Sequence, residues 1–550
     1  MKTMKFTRGD FFGGLTAGIV ALPLALAFGV QSGLGAAAGL YGAIFLGFFA
    51  AVFGGTPSQI SGPTGPMTVI TTTTVVLFLS EAGDINSAMG AIIACFILAG
   101  IFQVLMGVLK IGTLIKFIPY PVISGFMSGI GIIIILLQLF PALGQSSPKT
   151  TIDVVREIGP ALQNINVWAF IYTALTILII YLFPRITKAV PSTLVALLCI
   201  TILSIILKND VPIIGDIPYG FPPLQIGGLL SIDSSLYISI LEVAATLAAL
   251  GAIDSLLTSV VSDNVTKTKH DSNKELIGQG IGNSISGMFG GLPGAGATMR
   301  TLVNIRSGGR NRVSGVIHAL VLLVILLGLG KYAALIPSSV LAGILITVGI
   351  GILDYKGFRH IAKVPKADVA IMIIVLLVTV FLDLLVAVGI GMVMAAFLFM
   401  KNMSDVVQEK SKTVSLESIN ELETGLTEGL PESLKRKVFL KQFDGPLFFG
   451  SATSFVSLVN TIPDVRFVIL RMENVPFIDQ SGLYALEESI LSLEQRGIDV
   501  LLCGLQVQPR DRLERIQLIP GLVSNDNVFK NLPDAIQWIS ENLKDIEITP

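Results

Sequence analysis

The chain is poor in charge. Lysine and arginine number 37, aspartate and glutamate 38, and together they make 14% of 550 residues. Soluble domains carry about 25%. That shortfall, with a mean hydropathy of +0.78, excludes a soluble fold for most of the chain. The net charge of -1 implies no nucleic-acid partner. Cysteine is scarce as well. Cys95, Cys199 and Cys503 lie far apart, two of them in apolar runs, which argues against a disulfide framework or a zinc site. The three histidines, His270, His318 and His360, are scattered and build no metal centre. No nucleophile, triad or metal cluster marks an enzyme, and no cofactor is expected.

What the chain does have is apolar sequence of spanning length, recurring from about residue 11 to about residue 401. Fourteen segments are read: 11–30, 37–54, 62–79, 87–109, 119–140, 166–184, 190–207, 239–262, 275–291, 296–306, 313–330, 336–353, 367–382 and 384–401. Some are too short to cross a bilayer. The expected organisation is a membrane domain over 1–402, a polar linker over 403–436 and a soluble domain over 437–550. Lys2, Lys5 and Arg8 precede the first run, but Pro23 interrupts it and no cleavage site follows, so it is read as a span and not a signal peptide. With the N-terminus inside, Lys110, Lys116, Arg185, Lys188, Lys267, Lys269, Lys274, Arg306, Arg310, Arg312, Lys356, Arg359, Lys363 and Lys366 fall on the cytoplasmic side. The other side has only Lys149, Arg156, Lys208 and Lys331. This bias places both the N-terminus and the C-terminal domain in the cytoplasm, in a multi-pass protein of the inner (plasma) membrane.

The two halves resemble each other. Ile118-Pro119-Tyr120-Pro121-Val122-Ile123-Ser124-Gly125 matches Ile336-Pro337-Ser338-Ser339-Val340-Leu341-Ala342-Gly343, and the match runs on to Gly131 and Gly349. The segments are seven spans apart, an odd number, so the repeats must be inverted. Chance similarity of two Gly- and Ile-rich helices is the bland alternative. The repeat predicts that span three pairs with span ten. Both read poorly as full helices. Span three opens on Gly55-Thr56-Pro57-Ser58-Gln59-Ile60-Ser61-Gly62-Pro63-Thr64-Gly65-Pro66, and span ten on Gly290-Gly291-Leu292-Pro293-Gly294-Ala295-Gly296-Ala297. Such sequence cannot sustain a helix. Each stretch reads as an extended leader into a half-helix. Two half-helices that start inside the membrane would aim free N–H groups and positive dipole ends at one another, which makes an anion site. Thr64, Thr68 and Thr298 add hydroxyls. Packing glycines and simple kinks are the alternative.

Charges at membrane depth are costly and usually functional. Asp254 lies centrally in span eight, and Arg300 follows the span-ten leader. Arg300 would supply a fixed charge near an anion. Asp254 would bind Na⁺ with Thr258 and leader carbonyls, or carry a proton. A structural Asp254–Arg300 ion pair is the alternative. Glu242 and Asp383 are read as bland.

Four segments carry a family resemblance: Gly9-Asp10-Phe11-Phe12-Gly13-Gly14-Leu15-Thr16-Ala17-Gly18, Ser61-Gly62-Pro63-Thr64-Gly65-Pro66-Met67-Thr68, Asn273-Lys274-Glu275-Leu276-Ile277-Gly278-Gln279-Gly280 and Gly294-Ala295-Gly296-Ala297-Thr298-Met299. With them the chain resembles the sulfate permease (SulP) family, most closely its cyanobacterial sodium-dependent bicarbonate branch. The resemblance implies an α-helical membrane protein of seven plus seven inverted spans, split into core and gate domains. It implies anion binding between spans three and ten, with Ala297 and Thr64 near the anion; together with the reading of the residues, the expected anion site is Thr64, Gly65, Thr68, Ala297, Thr298 and Arg300, with Phe28. It also implies a sodium site of Asp254, Thr258, Gly296 and Thr298. Two departures stand out. Arg300 replaces a glycine of the bicarbonate branch but matches the wider family, and Leu24 replaces a glutamine found in many relatives.

After residue 436, Val438-Phe439-Leu440, Val468-Ile469-Leu470 and Val500-Leu501-Leu502 read as buried strands, with helices at 481–497 and 507–516. The segment Phe477-Ile478-Asp479-Gln480-Ser481-Gly482-Leu483 resembles the strand-to-helix loop of α/β STAS domains. Ser481 is expected to cap the helix beginning near Gly482, its phosphorylation being the regulatory alternative. The assembly expected is a homodimer formed partly through this domain, embedded in lipid. The function expected is secondary transport of a small inorganic anion, first Na⁺-coupled bicarbonate uptake. Proton- or sodium-coupled sulfate or dicarboxylate transport, an anion channel and an anion-sensing receptor are the alternatives.

Overall fold

The structure is a computed structural model. It describes residues 7–81, 85–148, 150–187, 190–214, 220–382, 384–410, 413–415, 437–450, 462 and 465–546. Lys2, Lys5, Lys149, Lys188, Asp383 and residues 411–412 and 416–436, on which the sequence reading drew, lie outside them. The chain forms two compact units, Met1–Ala395 and Ala396–Pro550.

Each of the fourteen apolar segments carries a helix. The first half holds α1 (Arg8–Gln31), α2 (Ala36–Phe53), α3 (Gly65–Glu81), α4 (Ile85–Val108), α5 (Tyr120–Ala142), α6 (Thr151–Ala161), α7 (Val167–Leu182) and α8 (Ser192–Leu207). The second holds α9 (Tyr237–Thr266), α10 (Ser272–Met288), α11 (Thr298–Arg306), α12 (Arg312–Ala333), α13 (Ser338–Ile352), α14 (Tyr355–Arg359), α15 (Lys366–Phe381) and α16 (Leu384–Lys410). Among the described residues, seven helices are individually long and apolar enough to cross a membrane. The helix of α1 continues through Pro23. Helix α6 was not expected. It is short and amphipathic, and it starts where Thr150 accepts from the Asp153 amide, a local cap that hydropathy does not register.

The halves meet reciprocally. Helices α5 and α13 cross where a Cβ on Gly131 would stand 2.7 Å from the Gly349 carbonyl oxygen, and one on Gly349 2.8 Å from that of Gly131. Spans three and ten pair as the repeat predicts. Strand β1 (Ser61–Gly62) runs antiparallel to β2 (Ala295–Gly296), with Ser61 opposite Gly296 and Gly62 opposite Ala295. The Gly- and Pro-rich leaders thus satisfy each other's backbone where helix is forbidden.

In the second unit, β3 (Thr413–Ser415), β4 (Val438–Asp444), β5 (Phe467–Asn474), β6 (Asp499–Cys503) and β7 (Val528–Phe529) form one sheet in that order. All neighbours are parallel except β3 and β4. Alternate strand residues face opposite sides. Val468, Leu470, Val500 and Leu502 meet Leu486 and Ile490 of α17 (Gln480–Gln495) and Leu513 of α18 (Val507–Arg515). Leu440, Ile469 and Leu501 meet Leu532, Ala535 and Ile539 of α19 (Leu532–Ile546). Within the stretch read as linker, 403–410 continue α16 and β3 joins the sheet. Ser481 does not cap α17. The cap is Asp479, whose carboxylate accepts from the Gly482 amide at 2.8 Å. The stronger acceptor two residues upstream takes the role, and Ser481 is exposed inside the first turn.

Candidate functional site

The two leaders end in helix N-termini without conventional caps. The Thr68 amide and hydroxyl of α3 both donate to the Thr64 carbonyl, at 2.9 and 2.8 Å. Helix α11 starts from Ala297 with no side-chain cap, the Thr301 amide donating to the Ala297 carbonyl at 2.8 Å. Between the leaders, the Ala297 amide donates to the Ile60 carbonyl at 2.8 Å. The Ile60 amide donates to the Thr301 hydroxyl at 3.0 Å. Gly65 opens α3 against the other helices: a Cβ there would stand 2.6 Å from Cδ1 of Ile134 on α5.

Helix α9 flanks the second leader. Ser255 accepts from the Gly296 amide at 3.1 Å, and Thr258 donates to the Gly296 carbonyl at 2.8 Å. The Thr298 hydroxyl lies 2.7 Å from that of Thr258. Thr258, Gly296 and Thr298 are therefore in one cluster, with Asp254 buried one turn earlier on α9 beside Thr64. Carboxylate, hydroxyls and carbonyl make an all-oxygen donor set of the kind hard cations take.

Arg300 is 2% exposed. Its Nη2 donates to the Pro63 carbonyl, so a side chain of the second half staples the leader of the first. Its Nη1 lies against Gly62, where a Cβ would stand 2.5 Å away. Arg300 and Asp254 are within electrostatic reach of one another. Among the described residues no ion pair joins them, so the structural pair is not what holds these helices together. Three buried atoms of these residues have no partner within hydrogen-bond range: Thr64 Oγ1, which faces the Asp254 carboxylate, Asp254 Oδ2 and Arg300 Nη1. They come from α9, from the first leader and from the first turn of α11.

Comparison with known proteins bears on this geometry. A model of the sulfate permease family matches residues 7–375, more than half of the chain. The chain belongs to that family. It is thus an anion transporter of the SulP type, and a STAS domain model matches residues 435–535. The SulP chain is 42% identical to the bicarbonate transporter BicA of Picosynechococcus sp., over 98% of this chain and 96% of that one. It is 32% identical to the putative sulfate transporter YvdB of Bacillus subtilis, over 94% of each. The solved transmembrane domain of a cyanobacterial BicA matches at a TM-score of 0.65 and 46% identity, over 70% of this chain and 99% of that one. Murine Slc26a9 in its inward-facing state shares the fold, with a TM-score of 0.82 at 20% identity over 98% of this chain and 93% of that one.

The SulP site rests on a buried polar cradle that sequence reasoning missed. Glu275 accepts from the Gly55 and Thr56 amides, at 2.7 and 2.8 Å, and from Gln59 and Gln279, at 2.9 and 2.8 Å. Asn283 pairs with Gly294 through both amide atoms, accepting at 2.9 Å and donating at 3.0 Å. Gln279 donates to Ser61 at 2.6 Å, and Ser259 to Gln59 at 2.9 Å. The signal was available: Glu275, Gln279, Asn283 and Ser286 line one face of α10 at helical spacing. His318, set aside as scattered, is fully buried near Arg300, and neither of its ring nitrogens has a partner. Phe28 is buried in α1, and no hydrogen bond or ring contact among the described residues ties its side chain to the breaks.

Proposed function

We propose that the chain moves a small inorganic anion by secondary transport, with bicarbonate as the first substrate and Na⁺ as the coupling ion. One observation carries this reading: Thr64 Oγ1, Asp254 Oδ2 and Arg300 Nη1 are buried and unpartnered where two helix N-termini meet. Each such atom costs about 1–3 kcal/mol unless a ligand satisfies it. The N-termini, Thr64 and Arg300 suit an anion, with Gly65, Thr68 and Ala297 forming the adjoining backbone. Asp254, Thr258, Gly296 and Thr298 suit Na⁺. A carboxylate placed to bind a cation favours coupling over a passive pore. Bicarbonate is favoured by relatives named for its transport, 42% and 43% identical over nearly the whole chain.

A second reading has its own support. The free guanidinium nitrogen of Arg300 adds a fixed charge that fits a divalent anion such as sulfate. In either case the N-terminus and the STAS domain lie in the cytoplasm by the distribution of lysine and arginine, and the protein assembles as a homodimer in the plasma membrane.

The test is uptake of labelled bicarbonate and sulfate into proteoliposomes, with and without a Na⁺ or H⁺ gradient. Accumulation of bicarbonate driven by inward Na⁺ is expected. Flux indifferent to both gradients would identify a channel, and absence of flux for both anions would overturn transport of these substrates.

A further inference from the structure

A cavity of about 390 Å³ opens between α1, α3, α5 and α13, away from the breaks. We propose that it is a second, charge-neutral anion subsite on the outer side, where Gln31 and Gln138 receive the substrate before it reaches the half-helices. This inference rests on the transport reading above.

Three observations carry it. First, Gln31 lines the cavity with both amide atoms buried and unpartnered. Gln138, 5% exposed, lines it from α5, and among the described residues its amide makes no hydrogen bond. The buried, unpartnered Gln31 carboxamide is a cost that a ligand or ordered water relieves, and the Gln138 amide is free to join it. Second, three of the neighbouring side-chain donors are already used, and the hydroxyls of Ser146 and Ser338 complete the polar lining. Gln145 donates to the Ala161 and Asn164 carbonyls, both at 2.8 Å. Thr72 donates to the Gln31 and Thr68 carbonyls, at 3.1 and 2.9 Å. Ser147 donates to the Pro148 carbonyl at 3.2 Å. The side-chain N–H groups left free are those of Gln31 and Gln138. Third, the cavity is aligned with the breaks. Thr64, Thr68 and Thr72 recur every fourth residue on one face of α3, so Thr72 stands about 12 Å along the helix from Thr64. On α5, Ile130, Ile134 and Gln138 repeat at the same spacing, and Ile134 packs on Gly65 at the start of α3. The order along the path is amide subsite, isoleucine seal, break.

The lining carries no charged side chain among the described residues. Neutral N–H donors hold an anion without stripping its remaining water or trapping it, which suits a site that passes its ligand on. By the positive-inside distribution, the C-terminal ends of α1 and α5 face outward.

Gln31→Leu, Gln138→Leu and the double variant are to be reconstituted and assayed for uptake of labelled bicarbonate and sulfate from the outer face. The double variant should raise KM roughly tenfold, the order expected when neutral hydrogen bonds to a ligand are lost, while leaving the maximal rate near wild type. The Asn variants should recover part of the loss. An unchanged KM in the double variant overturns the proposal. A second arm needs no flux. Gln138→Cys, in a chain carrying Cys199→Ser, is exposed to a membrane-impermeant thiol reagent from each side. Labelling from outside, slowed by bicarbonate or sulfate, is expected. Labelling only from the cytoplasmic side, or none that either anion slows, overturns the subsite. If the wild-type protein moves no anion, the transport reading falls and this second arm alone decides.

Discussion

The two breaks share a backbone plan and differ in what holds them. Each leader runs extended through a two-residue strand paired with the other, then turns into a helix. The first is held by an acid: Glu275 gathers the Gly55 and Thr56 amides, and Gln279 fixes Ser61. The second is held by neutral groups, Asn283 on Gly294 and Ser255 and Thr258 on Gly296. The first carries no charged side chain of its own, whereas the second carries Arg300, which reaches back to Pro63. The symmetric backbone supplies two positive dipole ends, a weak and general attraction for anions. The asymmetric side chains divide the labour. Cation donors cluster on the α9 side of the second break, and the fixed positive charge enters between the two.

The largest expected effect tests that division. Asp254→Asn keeps shape and removes the cation's charged donor, so Na⁺ stimulation of uptake should fall to background while the protein inserts normally. Sodium activation that survives in this variant would falsify the coupling assignment. Next comes the support of the first break. Glu275→Ala strands four buried donors and should destabilise the fold by at least about 3 kcal/mol. Thermal unfolding of detergent-solubilised protein reads this, with Glu275→Gln falling between Ala and wild type. Asn283→Ala strands one donor, the Gly294 amide, and two acceptors, the Gln103 side-chain oxygen and the Gly294 carbonyl, and removes no charge, so it should cost less; equal losses would mean that the two breaks are held alike.

Much of this was legible because it is local. Gly and Pro clusters announce the breaks wherever they fall, and a repeat of seven spans makes their pairing a matter of parity. The antiparallel contact of Ser61 with Gly296 follows from those two facts. The polar face of α10 was visible, but what it holds was not legible, for the opposite reason. Glu275 is bonded to groups some 220 residues away, and two of its four partners are backbone amides, which no side-chain pattern displays. A local competition was also misread at Ser481, where the carboxylate of Asp479 takes the capping amide first. Helix α6 escaped because hydropathy rewards length, and its start depends on one threonine.

A smaller effect should separate the two anion readings. Arg300→Gly restores the backbone plan of two uncharged breaks. If Arg300 Nη1 contacts the substrate, the ratio of sulfate to bicarbonate uptake should drop about tenfold, the worth of one charge-assisted hydrogen bond. If the ratio holds and only thermal stability falls, Arg300 serves as a staple to Pro63 alone.

The smallest effect is the sharpest, because its two halves have opposite sign. Thr64→Val is nearly isosteric and deletes only the unpartnered hydroxyl of the first break. With no anion bound, that hydroxyl is buried without a partner, so its removal should raise stability, by about 1 kcal/mol. With the anion present, the same change removes a donor, so KM should rise. The stabilisation conferred by saturating bicarbonate, read as a melting shift, should shrink accordingly. A hydroxyl that matters only to packing would move neither ligand term. A variant less stable without anion would mean that Thr64 already bonds within the protein, and that the breaks meet without leaving a place for a solute.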